Sequence, residues 1–297
     1  MPINLVAIVK DESRYIGEWL AYHLSLGVDR IFVFDNESTD GTTEILRRAA
    51  VVFPVEVCTW PTVEGRSPQI SAYNHYLDRH REPGTLTGFI DIDEFLVSRT
   101  NTGPLDRLRE LAADPSVAAV CINQRVFGDS GQQTYRPEPL FKRFTRCTQV
   151  DDLENHWVKS FYKLDAVDSL SVHSSPLKWG RHVHPNGCPV TFDGEPPYSF
   201  SCLLDVSHMQ LSHFITKTLE EFRVKQQRGG AAGTTKATRL SRYTDDYYFG
   251  RQRRANDSGC EHAARIAARV DAIIADFEHR LGLPPRDRET EGRAWRL

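Results

Sequence analysis

Nowhere in the 297 residues is there an apolar run long enough to span a bilayer, a C-x-x-C pair, an internal repeat or an excess of basic charge. Without the first, no membrane span is expected. The stretch from Met1 to Lys10 has no basic leader region, and its apolar run is too short for a signal segment, so it reads as the first strand of a cytoplasmic domain. The six cysteines (Cys58, Cys121, Cys147, Cys188, Cys202 and Cys260) have no zinc-like spacing and read as scattered thiols. Lys and Arg number 37 against 40 Asp and Glu, a net charge of -3. No global field therefore draws nucleic acid, although peripheral membrane association stays open. What is present is globular composition, 40% hydrophobic and 26% charged, which excludes disordered and fibrous classes. This length supports one large α/β domain or two modest ones, with a core that needs no disulfide or metal.

Charge is placed unevenly: residues 1–100 are net acidic and residues 101–297 net basic, which suits a cation site built early and an anion clamp built late. Over the first 125 residues, short apolar runs alternate with amphipathic stretches, the βαβ signal of a mainly parallel sheet. Strands are expected at Ile3–Val9, Arg30–Phe34, Val55–Cys58, Gly88–Ile90 and Val117–Ile122. Ile16, Trp19, Leu20, His23 and Leu24 recur at helical spacing and Gly27 stops that helix. A second helix opens with Asp40 as its cap and turns Ile45 and Leu46 inward; a third follows Ser67-Pro68 with Ile70, Tyr73 and Leu77 on one face. From 123 to 215 the pattern loosens and no element is assigned. Helix returns at Thr216–Arg228, the glycines from Gly229 to Gly233 read as a flexible loop, and Ala263, Ile266, Val270, Phe277 and Leu281 mark a last amphipathic helix. The charged tail after Pro285 is expected to fray.

Ligands of a parallel α/β sheet gather beyond the carboxyl ends of its strands. Here Lys10-Asp11-Glu12 follows the first strand, Asp35-Asn36 the second and Asp91-Ile92-Asp93-Glu94 the fourth. Asp35 to Gly41 taken alone also suits a turn and a cap. Asp91-Ile92-Asp93 is more telling, because an extended backbone puts both acids on one face. Two such carboxylates repel unless a cation lies between them, and Mg²⁺ or Mn²⁺ carrying a substrate diphosphate supplies one; a solvated acidic turn is the competing account. His182 and His184 read as exposed loop histidines with no third ligand beside them. Lys225 and Arg228, one helical turn apart and followed by glycines, suit either a clamp that closes on phosphates or a solvated helix face.

Several blocks also carry a resemblance. Lys10-Asp11-Glu12 followed by Glu18-Trp19, Tyr22-His23 and Leu26-Gly27-Val28 is similar to a "K-N-E, then E-W-x-x-Y-H-x-x-L-G-V" opening. Phe34-Asp35-Asn36-Glu37-Ser38-Thr39-Asp40-Gly41-Thr42 resembles "Y-D-N-x-S-x-D-G-T", and Phe89 to Leu96 resembles "F-I-D-x-D-E-F-L". Phe127-Gly128-Asp129-Ser130-Gly131 is close to "F-G-S-S-G", and His213-Phe214, Lys217, Glu220-Glu221-Phe222, Lys225 and Arg228-Gly229 follow a late "H-Y, K-S, E-E-F, K, R-G" pattern. In this order and spacing, over residues 3–230, the blocks resemble glycosyltransferase family 92 and related family-2-like bacterial enzymes. Asp11, Phe214 and Thr218 depart from the usual Asn, Tyr and Ser.

The resemblance implies a GT-A fold, α/β with a mostly parallel central sheet and C-terminal helices. It divides into a nucleotide-sugar-binding half at 1–125, an acceptor-side and diphosphate-closing half at 126–230, and a C-terminal loop and helix at 231–297. It implies a UDP-sugar donor, a glycan or other hydroxyl acceptor, Mn²⁺ or Mg²⁺, and inversion at the anomeric carbon. Asp91, Asp93 and His213 would then hold the metal; Lys10, Glu12, Asp35, Lys225 and Arg228 would bind the nucleotide-sugar; and Asp129 or Glu154 would serve as base toward the acceptor hydroxyl. His213 packed as a core histidine is the alternative for that residue. Two other functions remain open at this level: an inactive carbohydrate-binding or scaffold protein on the same fold, and a nucleotidyltransferase, which usually carries a Gly-rich basic loop that Lys10-Asp11-Glu12-Ser13 is not.

Overall fold

The computed structural model describes residues 1–241 and 243–282, so the tail expected to fray lies outside the described residues. Strand and helix alternate at first: β1 (Ile3–Val9), α1 (Ile16–Ser25), β2 (Arg30–Asp35), α2 (Thr42–Val52), β3 (Val55–Thr59), α3 (Pro68–Arg79) and β4 (Leu86–Phe89). Then come β5 (Glu94–Ser98), α4 (Pro104–Ala112) and β6 (Val117–Val126). The stretch without clear periodicity holds α5 (Leu140–Arg143), β7 (Arg146–Cys147), β8 (Val158–Lys163), β9 (Arg181–Val183), β10 (Phe192–Asp193), β11 (Phe200–Ser201) and β12 (Met209–His213). The chain ends in α6 (Leu219–Arg228), α7 (Lys236–Ser241), α8 (Asp245–Ala255), β13 (Ser258–Gly259) and α9 (Glu261–Arg280).

One sheet runs in the order β3-β2-β1-β4-β8-β6-β12-β5, with β9 beside β6. The pairs among β1 to β4 are parallel, as are β6 with β12 and β6 with β9, whereas β8 is antiparallel to both β4 and β6 and β5 is antiparallel to β12. This is the α/β, mostly parallel GT-A architecture that the resemblance implied. All ten residues of β6 are buried, and it runs four residues past its expected end. The apolar pattern breaks at Asn123-Gln124-Arg125, yet these polar side chains find partners inside: Asn123 Nδ2 donates to the Asn155 carbonyl at 3.1 Å and Arg125 to the Thr148 carbonyl.

Local chemistry shifts several boundaries. The cap of α2 is Gly41 (φ 97°), and Asp40, one residue earlier, accepts the Thr42 N–H at 3.1 Å and the Ser13 N–H at 2.9 Å. Ser67 caps α3 as expected, but Ile70 faces out while Tyr73 and Leu77 are buried. Helix α6 starts at Leu219 rather than Thr216, because Thr218 and Glu221 form a reciprocal capping box. The apolar face of α9 packs back on the early βα units, where Phe277 stacks on Phe53, just after α2, at 4.8 Å. Among the described residues no helix is long and apolar enough to cross a membrane.

Helix α1 lies beneath the sequence's most acidic turn. Trp19 is fully buried, and its indole N–H donates to the carbonyls of Asp91 (3.1 Å) and Glu94 (3.0 Å). His23 Nδ1–H donates to the Trp19 carbonyl, and the Leu96 N–H donates to His23 Nε2, so the ring is satisfied only when neutral. Burial lowers the His23 pKa to about 3.

Two predictions follow from α1. Trp19→Ala is expected to lower stability by about 3–5 kcal/mol through cavity formation, read by denaturant melts. A small effect on the melt, together with lost activity, would instead put Trp19 in the site chemistry. His23 makes stability pH-dependent. Above the ordinary histidine value of 6.5 both states are neutral, and below it only the unfolded chain takes up the proton. Stability therefore falls by about 1.4 kcal/mol per pH unit as pH drops below that point. In His23→Leu this part of the slope should vanish; equal slopes in the two proteins would refute the assignment.

Candidate active site

The segments that follow β1 and β2 are laced together before they form a cleft. The Asp11 N–H donates to Ser38 Oγ at 3.0 Å, the Glu12 N–H to Thr42 Oγ1 at 2.8 Å, and the Thr39 N–H to Asp11 Oδ1 at 2.7 Å. Asp11 (φ 50°) and Glu37 (φ 59°) occupy the left-handed region at this crossing, a conformation that non-glycine residues hold only when the surroundings impose it. Beyond these loops lies a cleft of about 440 Å³ whose lining includes Lys10, Glu12, Asn36, Asp91, Asp93, Glu94, His213, Lys225 and Arg228. Seven residues read from the sequence therefore meet in one place: Lys10, Glu12, Asp91, Asp93, His213, Lys225 and Arg228.

Asp91 to Glu94 does not continue the strand. It turns between β4 and β5, with the Glu94 N–H donating to the Asp91 carbonyl at 3.0 Å. The two aspartates still converge on the cleft, but each meets a cation of this chain. Asp91 accepts Lys159 Nζ at 2.9 Å and Gln69 Nε2 at 2.7 Å, while Asp93 Oδ2 accepts Lys225 Nζ at 2.7 Å. Burial opposes the Asp93 charge, but Lys225 and His213 outweigh it and hold the carboxyl well below the usual range. For Glu94 burial wins over Lys159, and its pKa rises to about 7.

His213 is oriented by a chain of hydrogen bonds with one consistent direction. Gln124 Nε2 donates to the Glu154 carbonyl at 2.6 Å, which turns Gln124 Oε1 toward His213; His213 Nδ1–H then donates to it at 2.6 Å. A neutral ring so held presents the Nε2 lone pair to Asp93 Oδ1, 3.4 Å away. Two electron-rich atoms facing each other call for a proton or a cation between them. Among the described residues no group of three His, Cys, Asp or Glu is placed to hold a metal. Mg²⁺ and Mn²⁺ bound with substrate phosphates need only one or two protein ligands, so Asp93 and His213 fit such an ion as a pair.

The two cations expected to clamp phosphates are both engaged by groups of this chain, Lys225 by Asp93 and Arg228 by Glu12. Arg228 pairs with Glu12 at 2.7 Å and donates to the Lys10 and Asp11 carbonyls. The glycine segment is docked rather than loose: the Gln69 N–H and Ser67 Oγ both donate to the Ala231 carbonyl, and the Gly65 N–H to that of Thr234. Gly229 (φ 82°) is required here, since a Cβ would meet the Arg239 carbonyl oxygen at 3.0 Å.

Three other expected site residues are held elsewhere. Asp35 is buried under the loop, accepting the Ser38 N–H and Thr43 Oγ1, and its neighbour Asn36 lines the cleft instead. Asp129 accepts from Tyr248 at 2.9 Å and from Asn256, and it does not line the cleft. Glu154 pairs with Arg251 at 2.8 Å in a separate cavity of about 240 Å³. His182 and His184 lie on or beside β9, partly and almost fully buried, not on an exposed loop. Sequence reasoning missed Lys159, Gln69 and Gln124. Lysine on an alternating strand signals a solvent-facing position, and only the antiparallel insertion of β8 beside β4 brings Lys159 to Asp91.

The model of glycosyltransferase family 92 matches residues 6–242. The chain is similar to glycosyltransferase family 92 protein Os08g0121900 of Oryza sativa subsp. japonica, 33% identical over 177 residues that cover 58% of this chain and 29% of that protein. It is also similar to glycosyltransferase family 92 protein At1g27200 of Arabidopsis thaliana, 33% identical over 182 residues that cover 57% of this chain and 30% of that one. The matched region thus spans less than a third of the length of these relatives. Among solved structures, S. aureus TarS 1-349 in complex with UDP-GlcNAc aligns over 94% of this chain and 72% of its own with a TM-score of 0.42 and 14% identity.

Removing the Arg228 guanidinium leaves the half-buried Glu12 without its cation. In Arg228→Ala, limited proteolysis within 229–236 is expected to speed up by about tenfold or more, because cleavage follows local opening. An unchanged cleavage rate would show that Arg228 does not hold this segment down.

Proposed function

The chain belongs to glycosyltransferase family 92, and on that premise we propose that it transfers a hexosyl unit from a UDP-sugar to a hydroxyl of a glycan or other acceptor, with inversion at the anomeric carbon. The observation that carries this reading is the meeting of Asp91, Asp93 and His213 with Lys10, Lys225 and Arg228 in one cleft. In this reading residues 1–125 hold the nucleotide-sugar and residues 126–230 complete the diphosphate-closing and acceptor side, followed by the C-terminal loop and helix. Mn²⁺ or Mg²⁺, held by Asp93 and His213 with Asp91 beside them, would supply charge against the diphosphate leaving group.

The residues of the chain do the remaining work. Lys159 keeps Asp91 ionised and Gln69 fixes its orientation, so that side chain is preorganised. Lys225 adds fixed positive charge at Asp93, and Arg228 ties the closing segment to the end of β1, which keeps water away from the donor. In the transfer, the acceptor oxygen bonds to the anomeric carbon as the bond to the diphosphate oxygen breaks. The hydroxyl proton passes to a base, for which Asp129 and Glu154 are not put forward because neither lines the cleft.

Calorimetric titration of UDP with and without MnCl₂ tests the donor site. Binding should require Mn²⁺ and weaken by about 100-fold in Asp93→Asn, while Gln124→Leu, which releases the His213 ring and leaves both Asp93 and His213 in place, should weaken it by about tenfold. Binding equally strong without Mn²⁺ and in Asp93→Asn would remove the metal from the proposal. Failure of the wild type to bind UDP at all would remove the donor. Release of free sugar from UDP-glucose or UDP-galactose separates an enzyme from an inactive binding protein on the same fold.

A further inference from the structure

Strand β8 enters the sheet from the cleft side. It is antiparallel to β4, so Lys159 lies level with the acidic turn and residues before it stand outside the sheet, beyond the carboxyl ends of the parallel strands. Trp157 immediately precedes β8 with extended backbone (φ -61°, ψ 139°). Two residues before Lys159, it falls on the same face as the side chain that reaches Asp91. Its indole ring is half-exposed, and its N–H has no protein acceptor among the described residues.

Other half-exposed rings continue the surface. His173 packs on Trp157 at 4.9 Å and itself lines the cleft, with its Nδ1–H donating to the Val158 carbonyl. Phe200 also meets Trp157 edge-on, at 6.1 Å, and is stacked by His156 at 5.0 Å. The Val158 N–H bonds to the Ser199 carbonyl, which fixes the Phe200 strand beside Trp157. The result is an aromatic shelf that meets the cleft through His173, at the end of the sheet where the parallel strands lead into the acidic turn. A half-exposed indole with an unused N–H suits a ligand having an apolar C–H face and hydroxyl acceptors at its rim, which describes a pyranose ring.

The geometry points to Trp157, flanked by His173 and Phe200, as the platform on which a sugar acceptor stacks before its hydroxyl meets the donor. The inference rests on the glycosyltransferase reading and narrows the acceptor from any hydroxyl compound to a carbohydrate. It also separates binding duties: the platform engages the acceptor without touching UDP.

The test uses the full chain, UDP-glucose and UDP-galactose as donors with MnCl₂, and a panel of methyl α- and β-pyranosides as acceptors, with the glycosylated product followed by mass spectrometry. Wild type should glycosylate at least one pyranoside, and that pyranoside should quench its tryptophan fluorescence. Trp157→Ala should raise the acceptor KM by about tenfold or more, with UDP affinity and donor hydrolysis unchanged. Trp157→Phe, which keeps a stacking ring and loses the N–H, should recover part of the KM but abolish the fluorescence response. An acceptor KM unchanged in Trp157→Ala overturns the platform. So does a wild type that binds UDP yet neither glycosylates nor responds to any pyranoside. If UDP itself does not bind, the donor reading fails separately, and the platform is decided by whether pyranoside quenching is present in wild type and lost in Trp157→Phe.

Discussion

Three carboxylates within four residues, Asp91, Asp93 and Glu94, sit in a turn that is mostly buried, and the structure is organised around making that tolerable. An unpaired buried charge carries a penalty of several kcal/mol, and here the compensating cations come from distant parts of the chain: Lys159 from β8 and Lys225 from α6. The turn is therefore the point where the early βαβ half and the later strands are electrostatically joined. Neither half can present the acidic turn in this form without the other.

Packing reinforces the same point from below. Trp19 holds two carbonyls of the turn, and Tyr22 donates to the Leu96 carbonyl at 2.9 Å, so α1 is a support for the acidic turn as much as a cover for the sheet. Above the cleft, α6 is anchored at its start by Glu221, which accepts Arg143 at 2.9 Å and Tyr15 at 2.6 Å. Its end is anchored by Arg228 on Glu12. Residues of one signature block thus divide between roles: Glu221 and Phe222 are structural, with Phe222 packed 5.1 Å from Tyr248, while Lys225 and Arg228 of the same helix face the cleft.

The early strands and α1 were legible because their apolar periodicity reflects burial of whole faces, a property each segment carries in itself. The acidic turn was legible as a cluster, though its backbone was expected to be extended, because the turn is imposed by Trp19 and by the Glu94 side chain accepting the Asp91 N–H. The strands from β7 to β11 escaped recognition since most are two or three residues long and owe their form to partners rather than to their own pattern. Asp35 and Asp129 accept hydrogen bonds that close their own loops; a carboxylate after a strand has the same sequence signature whether it faces ligand or closes a loop.

The sequence by itself determined the α/β class, the family and the charged residues that follow the early strands, because these depend on local order: which side chain follows which strand. Only the tertiary structure decided which of those residues share a cleft, that Lys159 and Gln124 serve it, and that Asp129 and Glu154 do not line it. Those outcomes depend on strand order and on the antiparallel insertion of β8, which set positions 68 residues apart, such as Asp91 and Lys159, within 2.9 Å of each other. No periodicity in the chain encodes that distance; it arises when buried carboxylates and cations can escape their desolvation penalty only by finding one another.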